Sequence, residues 1–162
     1  MRITIAAVGK ARAASGEQEL CDLYCERARA LGPKLGISKL DLLAVDTSRA
    51  ANPEARMIEE AAKLTKRLPE AAYLIALDEK GRGMNSGAFA KHIGRLRDSG
   101  VRDLVFLIGG PDGLASSLQD RAKDRLALGA QTWPHLLVRA MLAEQIYRAC
   151  SILAGHPYHR GG

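Results

Sequence analysis

The chain has 162 residues, 47% of them hydrophobic, which suits a single domain over 1–162 with a buried core. No apolar run approaches the ~20 residues that cross a bilayer, and Met1-Arg2-Ile3-Thr4-Ile5 enters a strand-like pattern without a signal-peptide cleavage region; neither a membrane span nor a secretory leader is expected, and the expected location is the cytoplasm. Lys and Arg exceed Asp and Glu by 24 to 18, a formal net charge of +6 that favours an anionic partner such as nucleic acid, although such a charge also serves solubility alone.

Ile3–Val8 is the first of several short apolar runs without strict polar alternation, the pattern of a strand covered on both faces. A helix follows: Ser15 and Gln18 form a capping box, Leu20, Leu23, Tyr24, Ala28 and Leu31 make one stripe, and Gly32-Pro33 stops it. Cys21 and Cys25 fall on this helix. With Cys150 they give neither an even disulfide framework nor a C-x-x-C pair, and read as small reduced packing residues rather than catalytic thiols. Leu40–Val45 is the second strand, and Asn52 caps a helix with Pro53 at its first position and Met57, Ala61, Leu64 and Leu68 on one face. After the strand Ala72–Leu77, Ser86 opens a third helix that places Phe89, Ile93 and Leu96 inward and His92 at the surface, and Ser99-Gly100 closes it. Leu104–Ile108 is the fourth strand, Ser116 with Gln119 caps a shorter helix, Leu126–Ala130 is a brief fifth strand, and Pro134 starts a final helix that is apolar on nearly every side to Ala154.

Such alternation predicts an α/β fold, a mostly parallel sheet flanked by helices, in which ligands collect where loops leave the carboxyl ends of strands. The loops so placed are 78–83, 109–113 and 129–134. In Gly109-Gly110-Pro111-Asp112-Gly113 the glycines let main chain approach a ligand closely, or simply make a tight turn. Neither G-x-x-x-x-G-K-[ST] nor G-x-G-x-x-G occurs, so ATP and NAD lose weight.

On the final helix Glu144, Gln145, Arg148 and Ser151 share one sector, while Arg139 projects to the other side among apolar neighbours. A buried unpaired guanidinium is costly. Either an anionic group from a second subunit, a ligand or a distant carboxylate answers it, which makes this helix a homodimer interface, or the long stem lets it snorkel to solvent. Past Gly155, Pro157 bars helical continuation, so His156, Tyr158, His159 and Arg160 lie on an irregular tail whose rings and cation suit a flipped base and its phosphates. Metal binding at His135, His156 and His159 is the rival reading, but no paired cysteine or H-E-x-x-H pattern completes the ligand set, and no metal is expected.

Five segments, Ala76–Gly81, Phe106–Leu114, Thr132–His135, Glu144–Ala149 and His156–His159, together with Ala7-Val8-Gly9-Lys10 and the overall length, closely resemble the bacterial ribosomal RNA large subunit methyltransferase H family, over essentially the whole chain. The resemblance implies a small SPOUT-class enzyme, a carboxyl-terminal trefoil knot and a homodimer. It further implies methyl transfer from S-adenosylmethionine to N3 of a pseudouridine in 23S ribosomal RNA on the assembled ribosome. Position by position, it implies a methyl-donor pocket at Leu77, Gly109, Leu128, Gly129, Ala130, Gln131, Thr132 and Trp133, the last standing where Phe or Leu is common in the family. On the RNA side it implies Arg148, Tyr158 and His159 as catalytic residues, with His156 and Arg160 as weaker candidates.

Methylation at N3 requires loss of an imide proton, for which His159 is the candidate base or orienting donor, Tyr158 a stacking or hydrogen-bonding ring and Arg148 a phosphate holder. Apart from the resemblance, Leu77 and Leu128 read as strand core. Two other classes stand beside this reading. A non-enzymatic ribosome- or RNA-binding factor explains the charge but not a glycine-walled pocket, and a metal-dependent hydrolase requires bound metal at the histidines.

Overall fold

The computed structural model describes residues 1–10 and 15–158. Five strands, β1 (Arg2–Val8), β2 (Lys39–Val45), β3 (Tyr73–Gly83), β4 (Asp103–Ile108) and β5 (Asp124–Ala127), form one sheet in the order β2-β1-β4-β3-β5, every pairing parallel. Helices α1 (Gly16–Leu31), α2 (Pro53–Thr65), α3 (Ser86–Asp98), α4 (Ser116–Arg121) and α5 (His135–Leu153) alternate with them, so the expected α/β arrangement is present. Successive strand residues feed opposite cores, as the two-residue period requires. Ile3, Ile5, Phe106 and Ile75 meet α1, α3 and α5, whereas Ala6, Val8, Val105 and Leu107 meet α2 and α4. Among the described residues no helix is long and apolar enough to cross a membrane.

Several local expectations shift. Only half of the first capping box forms: the Gln18 N–H donates to Ser15 Oγ at 3.2 Å, but the Gln18 side chain turns to Asp22. On α1 the buried face is Cys21, Cys25 and Ala28, while Leu20 and Leu23 stay 45% and 40% exposed. Small side chains let α1 lie close against α5, and the leucines are rotated off that line. Asn52 caps α2 as expected, its side chain accepting from the Ala55 N–H at 2.8 Å. The cap of α3 is Asn85, not Ser86, and α4 begins without a side-chain cap because Ala115, not Ser116, stands at its N-cap, while Gln119 donates to the Leu114 carbonyl. His92 is no plain surface residue: its Nε2 lies 3.0 Å from Asp124 Oδ2, which also accepts from the Tyr73 hydroxyl at 2.8 Å.

The largest departure is β3, which continues through 78–83 where a loop was expected, while β5 ends at Ala127 rather than Ala130. The register breaks between Leu77 and Arg82, and the strand resumes pairing at Arg82↔Leu126 and Gly83↔Ala127. Gly81 permits this: a Cβ there would sit 2.8 Å from the Arg125 and Leu126 backbone, closer than any side chain allows.

Candidate active site

A cavity of about 710 Å³ opens at the carboxyl ends of β3, β4 and β5, where a parallel sheet presents its loops, and within the range usual for small-ligand sites. Leu77 lines it from β3, Gly109 from the loop after β4, Leu128, Gly129, Gln131, Thr132 and Trp133 from the segment after β5, and His135 and Val138 from the start of α5. Thus seven of the eight residues expected at a donor pocket converge on one space; Ala130 does not line it. Thr132 donates its hydroxyl to Glu79 at 3.0 Å and so joins the β5 segment to the irregular part of β3.

The glycine loop is a tight turn at the cavity wall. The Gly113 N–H donates to the Gly110 carbonyl at 2.9 Å, a tight turn, and the same residues wall the cavity. Gly109 is demanded by its own loop: a Cβ would lie 2.5 Å from the Gly113 carbonyl carbon. From α2, Arg56 grips Asp112 with two hydrogen bonds, of 2.7 and 2.9 Å, and this pairing holds the Asp112 carboxyl below its ordinary range. Nearby, buried Glu60 accepts from the Ser48 N–H, and its other oxygen faces Gly110 without a hydrogen-bond partner among the described residues.

Arg139, 1% exposed, does not snorkel, and no described carboxylate answers it. Its Nη2 donates to the Val8 and Gly9 carbonyls at the end of β1, within the same chain, while Nε and Nη1 have no partner among the described residues. The acceptors are main-chain dipoles left over where β1 stops pairing. Burial lowers the Arg139 pKa, and burial followed by the Arg139 charge lowers that of His135 one turn earlier.

A second group gathers further along α5. Glu144 accepts from Arg148 at 2.9 and 2.5 Å, from Gln145 at 2.6 Å and from the Tyr158 hydroxyl at 3.1 Å. The Tyr158 ring packs 4.5 Å from that of Tyr147, with the Arg148 guanidinium 4.9 Å from its centroid. Burial, then hydrogen bonds with Tyr24 and Glu144, push the Tyr158 hydroxyl up to about 12, so it remains a donor at neutral pH. His156 is exposed, and His159 and Arg160 lie outside the described residues. Sequence reasoning gave roles to Arg148 and Tyr158 and placed Glu144 in the same helix sector, but gave it no role as their common acceptor, although the four-residue spacing of Glu144 and Arg148 was a signal for it. The Arg56–Asp112 tether left no such signal.

The structure does not bring the two groups together. From Val138 at the cavity to Arg148, ten residues along α5 at ~1.5 Å each is ~15 Å. Within one chain the cavity and the tyrosine–arginine cluster are therefore separate places.

A family model described as predicted SPOUT methyltransferase matches residues 1–159. A ribosomal RNA large subunit methyltransferase H from Nitrobacter winogradskyi is 51% identical over 161 residues, 99% of this chain and 100% of the relative. One from Agrobacterium fabrum is 51% identical over 160 residues, 99% of each. Among solved structures, a probable methyltransferase from Bordetella pertussis Tohama I is 13% identical with a TM-score of 0.49, covering 91% of this chain and 95% of that one.

Proposed function

The chain belongs to the SPOUT methyltransferase family, among the ribosomal RNA large subunit methyltransferase H proteins, and from that premise we propose a specific reaction: transfer of the methyl group of S-adenosylmethionine to N3 of a pseudouridine in 23S ribosomal RNA, on the assembled ribosome, by a cytoplasmic homodimer. The observation that carries it is the cavity itself. Its size, its apolar walls at Leu77, Leu128 and Trp133, and its main-chain groups at Gly109, Gly129, Gln131 and Thr132 fit a planar adenine with a polar edge. An RNA-binding factor without activity accounts for the charge and leaves this cavity unused.

S-adenosylmethionine, when bound, supplies a methyl group already activated on a sulfonium. The chain's own residues orient the acceptor and deal with its N3 proton, which a base must take or a donor must compensate. His159 is assigned that role. Tyr158 offers a protonated hydroxyl and a stacking ring, and Arg148 holds a phosphate by exchanging part of its pairing with Glu144.

The ~15 Å along α5 between the cavity and Arg148 supports a composite site, in which one protomer's cavity faces the partner's cluster. Exposed Leu20 and Leu23 on α1, packed beside α5, give such a contact apolar surface. The segment from β5 through α5 is the part expected to be threaded as the trefoil knot.

Incubation with methyl-labelled S-adenosylmethionine and unmodified ribosomes tests the reading, with protein-free large-subunit RNA as control. The expected result is label on one pseudouridine of the ribosome and little on bare RNA. Donor binding without transfer refutes the RNA target, and absence of both favours the binding-factor reading.

A further inference from the structure

Away from the donor cavity, a groove of about 470 Å³ runs between α3 and the carboxyl end of α5. Its floor is Gly94 against Leu153, where a Cβ on Gly94 would come within 3.2 Å of Leu153 Cδ2; its rim is Lys91, Arg95, Arg97 and Asp98.

The charges on that rim are unevenly matched. Arg97 donates to Asp98 at 2.8 Å and to the Leu35 carbonyl at 3.2 Å, so the one acid is already neutralised. Lys91 and Arg95 are exposed, and among the described residues their side chains make no ion pair or hydrogen bond. Four residues apart on one helix, they stand side by side at about 5–6 Å between Cβ atoms, two free cations on the wall of a narrow concavity. An apolar helix would find little to bury there; a chain carrying a negative charge at every residue would find a match. Leu153 ends α5, and Tyr158 follows five residues later, so a strand lying in the groove leads toward the tail.

Resting on the proposed action upon ribosomal RNA, we propose that this α3–α5 groove docks the phosphodiester backbone of the RNA substrate through Lys91 and Arg95. It is a positioning surface, apart from the groups that meet the reacting base.

The test compares K91E/R95E with K66E/R121E, which reverses two exposed cations at the carboxyl ends of α2 and α4 at the other face of the sheet. Each variant drops the net charge from +6 to +2, two units per reversal, so general attraction changes equally in both. Binding to unmodified ribosomes is measured by co-sedimentation across a salt series, donor binding by calorimetry and oligomeric state by sedimentation velocity. For K91E/R95E the expected result is a slope of log affinity against log salt shallower by about 2, a several-fold weaker affinity, and unchanged donor binding and oligomeric state. An unchanged slope, or an equal change in K66E/R121E, overturns the proposal. So does a changed oligomeric state, which would make the groove a contact between copies. Because ribosome binding is read separately from methyl transfer, failure of the catalytic reading shows as absent label in the unaltered protein, while the groove is still judged on binding.

Discussion

Glu144 accepts hydrogen bonds from three side chains, and its carboxylate sets where Arg148 and Tyr158 stand. Glu144→Gln keeps the shape but loses the charge and turns one acceptor oxygen into a donor, so stability should fall by about 1–3 kcal/mol in urea unfolding. Turnover should fall further, while donor affinity in calorimetry stays as it was, because the cavity is ~15 Å away. His135 is governed by its surroundings in a different way. Its pKa is lowered from 6.5 by burial and by Arg139, so the unfolded chain binds the proton more readily. The stability this gives is complete above 6.5 and is lost as pH falls from there toward the folded value. Melting temperatures should therefore drop from about pH 7.5 to about pH 5, and less steeply in His135→Gln. Spacing alone put Arg139 by itself among apolar neighbours, and it is so placed. Its acceptors were not legible: they are main-chain carbonyls 131 and 130 residues away, and main chain leaves no mark on residue type.

Among elements, the glycine loop shows how α2 acts at a site it does not line. Arg56 holds Asp112 from the side, and the turn Gly110–Gly113 is fixed by its own hydrogen bond. Asp112→Ala should weaken donor binding at little cost in stability, the pair being partly exposed, and the swap R56D/D112R should restore much of the affinity. If calorimetry showed Asp112→Ala binding the donor normally, the tether would have no role in the pocket. Gly109→Val should lose donor affinity and melting temperature together, since its side chain meets Gly113 before any ligand. Helix and strand existence was legible in Ile3–Val8, in the Asn52-Pro53 start and in the Phe89, Ile93, Leu96 stripe. The second half of β3 was not, because Asp78-Glu79-Lys80-Gly81-Arg82-Gly83 carries turn-forming and charged residues, and only pairing with β5 draws it into the sheet.

At the scale of the molecule, the donor cavity and the Arg148–Tyr158 cluster belong to one reaction only if two chains share it. Mixed dimers are the check: Gly109→Val and Arg148→Ala proteins, each inactive alone, should regain up to about a quarter of the normal activity when mixed equally and allowed to exchange subunits, because about half of the dimers are then hybrids and each hybrid holds one intact site of two. No recovery in mixtures shown to contain hybrids would disprove a shared site. The sheet order β2-β1-β4-β3-β5 could not be read from alternation, which fixes strand type but not neighbours; the resemblance supplied the family and the pocket. That order also bears on how the chain is made. β1 is flanked by β2 and β4, and Arg2 bonds Asp103, 101 residues later. During synthesis at about 5–20 residues per second, β1 emerges roughly 5–20 s before β4, an interval in which one apolar strand edge stays open. The nascent chain is thus most prone to mispairing before its central strand is made, and a pause in translation ahead of residue 103 should lower the yield of folded protein more than one after it.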